Sequence, residues 1–305
     1  MQLDKFNYQE VKIKYLKFLK SQEVKSEPFR NKLTQLNKFY FPISKMIHKE
    51  FLKNKKTKII GLTGGQGSGK STISNILKIV LKIGFRLETL VFSIDDFYKT
   101  LKERKLMAKK ISPLFFTRGV PGTHDVEMLY KCIKNLKSHK FKKTVVPKFD
   151  KSTDDRCKKN KWIKINKKPD IVIFEGWCVG VTPQKKVDLI TPINTLEKIQ
   201  DKKKIWRNKV NIELKKKYQK LFNLIDQLIF LKVPSFKYVY KWRLLQEKKL
   251  RATATGKKIM SNHQIKNFIM HYERLSKHML KNLPKKAHSV ISVDKKHRLK
   301  SIKFN

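Results

Sequence analysis

The chain of 305 residues is long enough for one large domain or two small ones, and its 40% hydrophobic content is that of a globular protein. Its formal charge of +49 is carried by ten arginines and 63 lysines spread over every segment, which leaves no clustered basic and aromatic platform for nucleic acid and reads instead as solvated lysine faces. No apolar run approaches the roughly 18 residues of a membrane span, and Cys132, Cys157 and Cys178 have neither disulfide nor metal-ligand spacing.

Residues 1–54 read as helical, with Pro28 marking a break and Ile43, Met46, Ile47 and Phe51 recurring at helical spacing after it. They form an N-terminal helical extension on a main domain over 55–305. The first residues lack the apolar block of a secretory signal and carry Asp4 and Glu10, so a cytoplasmic protein is expected.

From Thr57 the pattern changes to short β-branched runs alternating with helical stretches. TKIIGLTG is a buried strand ending in glycines. Ile73, Ile76, Leu77, Val80 and Leu81 give one face of a helix that Gly84 ends. LETLVFSID is the next strand, Val126 to Leu136 a helix, KTVVPKF a strand, and PDIVIFEG and DQLIFLKV two strongly apolar strands. Residues 235–251 and 262–283 are helical, and HSVISV is a last strand. Strands alternating with helices predict an α/β fold, three layers αβα around a mainly parallel sheet, with ligands bound beyond the carboxyl ends of the strands.

GLTGGQGSGKST contains G-x-x-x-x-G-K-S as Gly64, Gly69, Lys70 and Ser71, between a strand and a helix as this phosphate loop requires. Gly64, Gly65, Gln66, Gly67, Ser68, Gly69, Lys70, Ser71 and Thr72 are therefore the expected nucleotide-binding set. The glycines let backbone N–H groups curl around the β-phosphate, and the helix N-terminus adds its positive dipole end. Lys70 bridges the β- and γ-phosphates, and the Ser71 hydroxyl holds Mg²⁺. ATP and Mg²⁺ are the expected cofactors.

A phosphate loop alone does not separate a kinase from a switch or a motor ATPase. SIDDFY places Asp95 and Asp96 at the end of the second strand, where a carboxylate faces the γ-phosphate region and can take the proton of an attacking hydroxyl. Helix capping is the competing use of such a pair. DIVIFEGW ends an apolar strand in Glu175, the usual place for a carboxylate on the metal side.

S-x-D-D-F-Y with a strand-terminal F-E-G resembles the uridine kinase, pantothenate kinase and phosphoribulokinase superfamily. Within it, TRGVPGTHD (Thr117 to Asp125), VPKFDKS (Val146 to Ser152), FEGWCVG (Phe174 to Gly180) and WRLLQE (Trp242 to Glu247) resemble the P-loop D-glycerate 3-kinases, and so do the run from Ile193 to Asp226 and the helix HQIKNFIMHYERL. The likeness spans about residues 57 to 283. It implies transfer of the ATP γ-phosphate to a hydroxyl of D-glycerate, giving 3-phosphoglycerate. It also implies Asp95 as base, an acceptor pocket lined by Arg118, His124, Asp125, Asp150 and Lys151, and Ser71 and Glu175 at the metal. A helical lid over about residues 235–260 offers a cation to the transferring group, Arg243 ahead of Arg251. The chain departs from these relatives in the short, glycine-free S-T-D-D-R after D-K-S, which puts a substrate role for Arg156 in question, and in the unmatched basic stretch from Lys285. A kinase of the same fold acting on a nucleoside, pantothenate or a sugar phosphate is the nearest alternative. A basic P-loop NTPase that binds nucleic acid is the reading from another class.

Overall fold

The apolar run after Thr57 becomes a central strand of a six-stranded sheet in the computed structural model, which describes residues 6–23, 29–253 and 260–305. Pro28 and the side chain of Arg251 lie outside the described residues. In chain order the strands of this sheet are β1 (Lys58–Gly64), β2 (Thr89–Ser93), β3 (Ile171–Gly176), β4 (Gln227–Lys232), β5 (Ser289–Val293) and β6 (Leu299–Phe304). Their spatial order is β6-β5-β4-β1-β3-β2, and every pairing is parallel except β5 with β6. The longer helices are α1 (Tyr8–Gln22), α2 (Phe41–Leu52), α3 (Lys70–Ile79), α4 (Leu101–Lys110), α5 (Val126–Lys137), α6 (Ile205–Glu213), α7 (Phe236–Thr253) and α8 (Asn262–Asn282).

Because alternate strand residues point to opposite faces, the strands sort their apolar side chains into two cores. Ile60, Leu62, Ile171, Ile173, Ile229 and Leu231 face one core, which is closed by α3 and by Val11, Tyr15, Leu19, Ile43 and Ile47 from the N-terminal helices. Ile59, Val172, Phe174, Leu228 and Phe230 face the other, closed by α5, α6 and α8. The result is the three-layer αβα arrangement expected from the alternation of strands and helices. The N-terminal helices are thus part of a layer, with Val11, Ile43 and Ile47 at 0% exposure. No helix of the described residues is long and apolar enough to cross a membrane.

KTVVPKF does not join the main sheet. Thr144–Val146 pairs antiparallel with Ile163–Ile165, and Phe149–Asp150 pairs with Asp155–Arg156 in a second small hairpin. Pro147 lies between the two pieces, where its missing N–H prevents one continuous strand. The basic C-terminus, for which the family resemblance gave little guide, supplies β6 as an antiparallel edge. Its exposed Lys300 and Lys303 keep that edge from further pairing.

The carboxyl ends of β1, β2, β3 and β4 lie along one side of the sheet. That side carries Gly64, the turn after Ser93, Glu175 and the connection to α7.

Candidate active site

The phosphate loop runs from the end of β1 into α3. Gly67 and Gly69 take φ of 72° and 89°, the left-handed region that only glycine enters without strain. A methyl group at Gly65 would meet Val239 of α7 at 2.7 Å, and one at Gly67 would meet Trp242 Cβ at 3.1 Å. The helix expected to form the lid is therefore packed on the loop itself. Lys70 Nζ donates to the carbonyls of Gly64 and Gly65 at 3.1 and 3.0 Å. Burial pushes its ammonium down, opposed by Glu175 and Asp95. Ser68 Oγ is buried without a partner, the kind of donor a phosphate oxygen satisfies.

Across the loop, Ser71 Oγ donates to Glu175 Oε1 at 3.1 Å. Burial raises the Glu175 carboxyl, and Lys70 opposes the shift. A hydroxyl beside a carboxylate is the hard-oxygen pair that fits Mg²⁺ when phosphates fill the remaining positions. Among the described residues no group of three His, Cys, Asp or Glu could hold a metal unaided.

Asp95 and Asp96 divide the two uses open to them. Asp96 closes a capping box on the turn Ile94–Phe97, accepting from the Ser93 N–H at 3.2 Å. Asp95 points to the site, accepting from the Tyr98 hydroxyl and from Lys151 Nζ, each at 2.9 Å. Burial pushes its carboxyl up, but Lys151, His124 and Tyr98 outweigh it and hold Asp95 well below the usual carboxylate range.

Arg118, His124 and Lys151, expected from sequence to line an acceptor pocket, are gathered near Asp95. Arg118 pairs with Asp154 and lies 5.5 Å from the Phe149 ring centroid. His124, 2% exposed, is stacked on Tyr98 at 4.5 Å between ring centroids. Its Nδ1 is 2.7 Å from the Tyr218 hydroxyl, which also accepts from the Gly122 N–H at 3.0 Å. The His124 Nε2 is buried without a partner. Burial pushes the His124 imidazole down to about 4, so it is neutral at pH 7.

Asp125 and Asp150 use their carboxylates locally. Asp125 caps α5 through the Met128 N–H at 3.1 Å, while the neighbouring Thr123 hydroxyl bonds Gly119 and Val120. Asp150 holds its own turn through Ser152. Arg156 donates to the Tyr98 carbonyl at 2.8 Å and lies 3.6 Å from Asp125, joining the Asp95 turn to the start of α5. On α7, Arg243 starts beside Gly67 and pairs with Glu247 at 2.8 Å, its guanidinium 6.0 Å from the Phe268 ring centroid.

The profile of the Phosphoribulokinase / Uridine kinase family matches residues 59–213, half of the chain. The chain is 34% identical to the uncharacterized kinase mug58 of Schizosaccharomyces pombe, over 81% of this chain and 89% of that one. It belongs to the phosphoribulokinase/uridine kinase family. It is also 27% identical to the chloroplastic D-glycerate 3-kinase of Arabidopsis thaliana, over 70% of this chain and 46% of that one. Its fold is shared with the D-glycerate 3-kinase of Cryptococcus neoformans, with a TM-score of 0.75 and 22% identity over 87% of this chain and 99% of that one.

Sequence reasoning missed four residues that shape the site of this P-loop kinase. Tyr98 and Tyr218 orient Asp95 and His124, and Asp154 holds Arg118. Arg104 is the fourth. Wholly buried, it donates to the carbonyls of Lys99, Phe116 and Asp154, in three segments near Asp95, Arg118 and Lys151. Its place in the lysine-rich LKERK hid it, although the scarcity of arginine in the chain was a signal.

Proposed function

We propose that this kinase transfers the γ-phosphoryl group of ATP to a hydroxyl of D-glycerate, giving 3-phosphoglycerate. The observation that carries the reading is the group of residues facing the phosphate loop. A carboxylate, Asp95, stands beside the Lys151 ammonium at 2.9 Å, and the Arg118 charge is close enough to act on Lys151. Cations next to a base suit a small acceptor that offers a carboxylate and a hydroxyl together. The named activity of the Arabidopsis relative points the same way.

In this reading Lys70 leaves the loop carbonyls for the phosphates, and Arg243 adds a second cation from the lid. Asp95 orients the acceptor hydroxyl and takes its proton, while Arg118 and Lys151 hold the acceptor carboxylate and the unpartnered His124 Nε2 meets a hydroxyl of the acceptor. Ser71 and Glu175 would hold Mg²⁺, which when bound neutralises charge on the phosphates. Most of the acceleration comes from positioning and fixed charge, as in phosphoryl transfer generally.

ATP consumption measured with D-glycerate, uridine and pantothenate in parallel, with phosphorus NMR of the product, tests the reading. Turnover with D-glycerate and a 3-phosphoglycerate signal is expected. Turnover with uridine or pantothenate and none with D-glycerate would remove the acceptor assignment and leave a kinase of other specificity.

A further inference from the structure

The base of this kinase is engaged on both oxygens, by two groups of very different mobility. The Tyr98 hydroxyl holds Oδ1 and is fixed, since Tyr98 is 2% exposed between the His124 ring and the edge of Phe149. Lys151 holds Oδ2 from the turn between Phe149–Asp150 and Asp155–Arg156, and its side chain is 63% exposed. An ion pair with one partner in solvent is weak and easily exchanged. The neighbouring cation is not so placed. Arg118 is tied to Asp154, which is itself 3.1 Å from the wholly buried Arg104. When an anion enters, Lys151 is the cation that can change partner.

An ammonium on a carboxylate also lowers its power to accept a proton. Lys70 and Glu175 from the donor side, Asp96 and Tyr98 from its own turn, and His124, Cys178 and Tyr272 from the surrounding elements also act on or beside Asp95, and none of them belongs to the hairpin that carries Lys151.

We propose that Lys151 makes the kinase specific for anionic acceptors: it closes on Asp95 in the ligand-free enzyme and exchanges that carboxylate for the acceptor's own, freeing the base. The inference rests on the acceptor reading above and extends it. In the step so released, the acceptor oxygen forms the new bond to the γ-phosphorus. The bond between that phosphorus and the β–γ bridging oxygen breaks, its electron pair leaves on ADP, and the acceptor proton passes to Asp95. A neutral alcohol has nothing to offer Lys151 and leaves the base closed.

The test is Lys151→Met, assayed with D-glycerate and with glycerol, its neutral counterpart. The KM for D-glycerate is expected to rise about tenfold with loss of the charged contact. Turnover of glycerol is expected to rise about tenfold as the base becomes stronger. A fall by one common factor for both acceptors, or no change for either, overturns the proposal. A second arm needs no acceptor hydroxyl: propionate is expected to stimulate slow ATP hydrolysis by the wild-type enzyme, and not by the variant. Stimulation without phosphorylation of D-glycerate would sink the acceptor reading and keep the exchange, whereas no effect of propionate on the wild-type enzyme sinks the exchange.

Discussion

Replacing Arg104 with methionine keeps the apolar length of the side chain and removes a guanidinium that no solvent reaches. Three carbonyl groups then lose a donor: Lys99 at 3.3 Å, Phe116 at 2.7 Å and Asp154 at 2.5 Å. Each orphaned carbonyl costs about 1–3 kcal/mol if it stays dry, and breaking a buried charged contact costs about 3–5 kcal/mol. These costs overlap, because Asp154 is 32% exposed and keeps Arg118 as a partner. The expected net loss is therefore about 3–5 kcal/mol, or about 5–8 °C in Tm for a chain of this size. The three carbonyls belong to the segment after the Asp95 turn, the segment before Arg118 and the turn that carries Lys151, and none belongs to the phosphate loop. ADP affinity, measured by titration, should stay within about twofold, while the acceptor KM rises about tenfold or more through lost positioning. Arg104→Lys should fall between, since one ammonium cannot replace a planar fork across three carbonyls. Urea unfolding of Arg104→Met with a loss under about 1 kcal/mol and an unchanged acceptor KM would refute the reasoning.

Asp95→Asn should lower kcat about 10²–10⁴-fold with ADP affinity intact, and full activity in that variant would remove the base assignment. Deleting residues 1–54 strips Val11, Tyr15, Leu19, Ile43 and Ile47, each at most 1% exposed, from the sheet. At about 1.5–3 kcal/mol per side chain that is about 8–15 kcal/mol, as large as the stability of a whole domain. A truncated chain that still unfolds cooperatively would show this layer to be dispensable. His124 is held at about 4 when folded, against 6.5 for the free side chain, so the unfolded chain takes up its proton first as the pH falls. Its contribution is complete above pH 6.5 and is lost between about pH 6.5 and 4, a total of about 3 kcal/mol. Urea midpoints measured over that window should fall less steeply in His124→Gln, and identical slopes in variant and wild type would count against a buried neutral imidazole.

The donor half of the site was legible because its parts are local. Residues 64–72 are contiguous, and Asp95 and Glu175 each stand at the carboxyl end of an apolar strand, where the run of β-branched residues itself points to them. The residues proposed for the acceptor come from a turn after β2, the loop before α5 and the hairpin of Asp150 and Asp155, joined by side chains that bond to carbonyls and leave no periodic trace in the sequence. Carboxylates were the hardest to read. Asp95 and Asp96 are chemically alike, and only the capping box on Ser93 separates them. Asp125 and Asp150 carry the right charge for an acceptor pocket, yet their oxygens go to Met128 and Ser152. The strands β1 to β5 were readable from their apolar runs. β6 was not, because only Leu299 and Ile302 of its six residues are even half-buried.

Composition carried more information about the site than its first use suggested. With 63 lysines available, three of the ten arginines mark places where lysine would not serve. Arg104, Arg207 and Arg274 are buried, and each bonds at least two carbonyls: Arg207 those of Leu189, Ile190 and Asp201, and Arg274 those of Asp188 and Thr191. Arg207 and Arg274 add a carboxylate each, Asp201 and Glu197. A planar fork with five donors can satisfy several carbonyls of an irregular segment at once, which an ammonium on a flexible stem does poorly. The carbonyls so tied, at Lys99, Phe116 and Asp154 and between 188 and 201, lie where the chain has left the sheet and has no strand or long helix to pair its backbone groups. Buried loops need that pairing. The arginines therefore pair backbone groups where secondary structure does not.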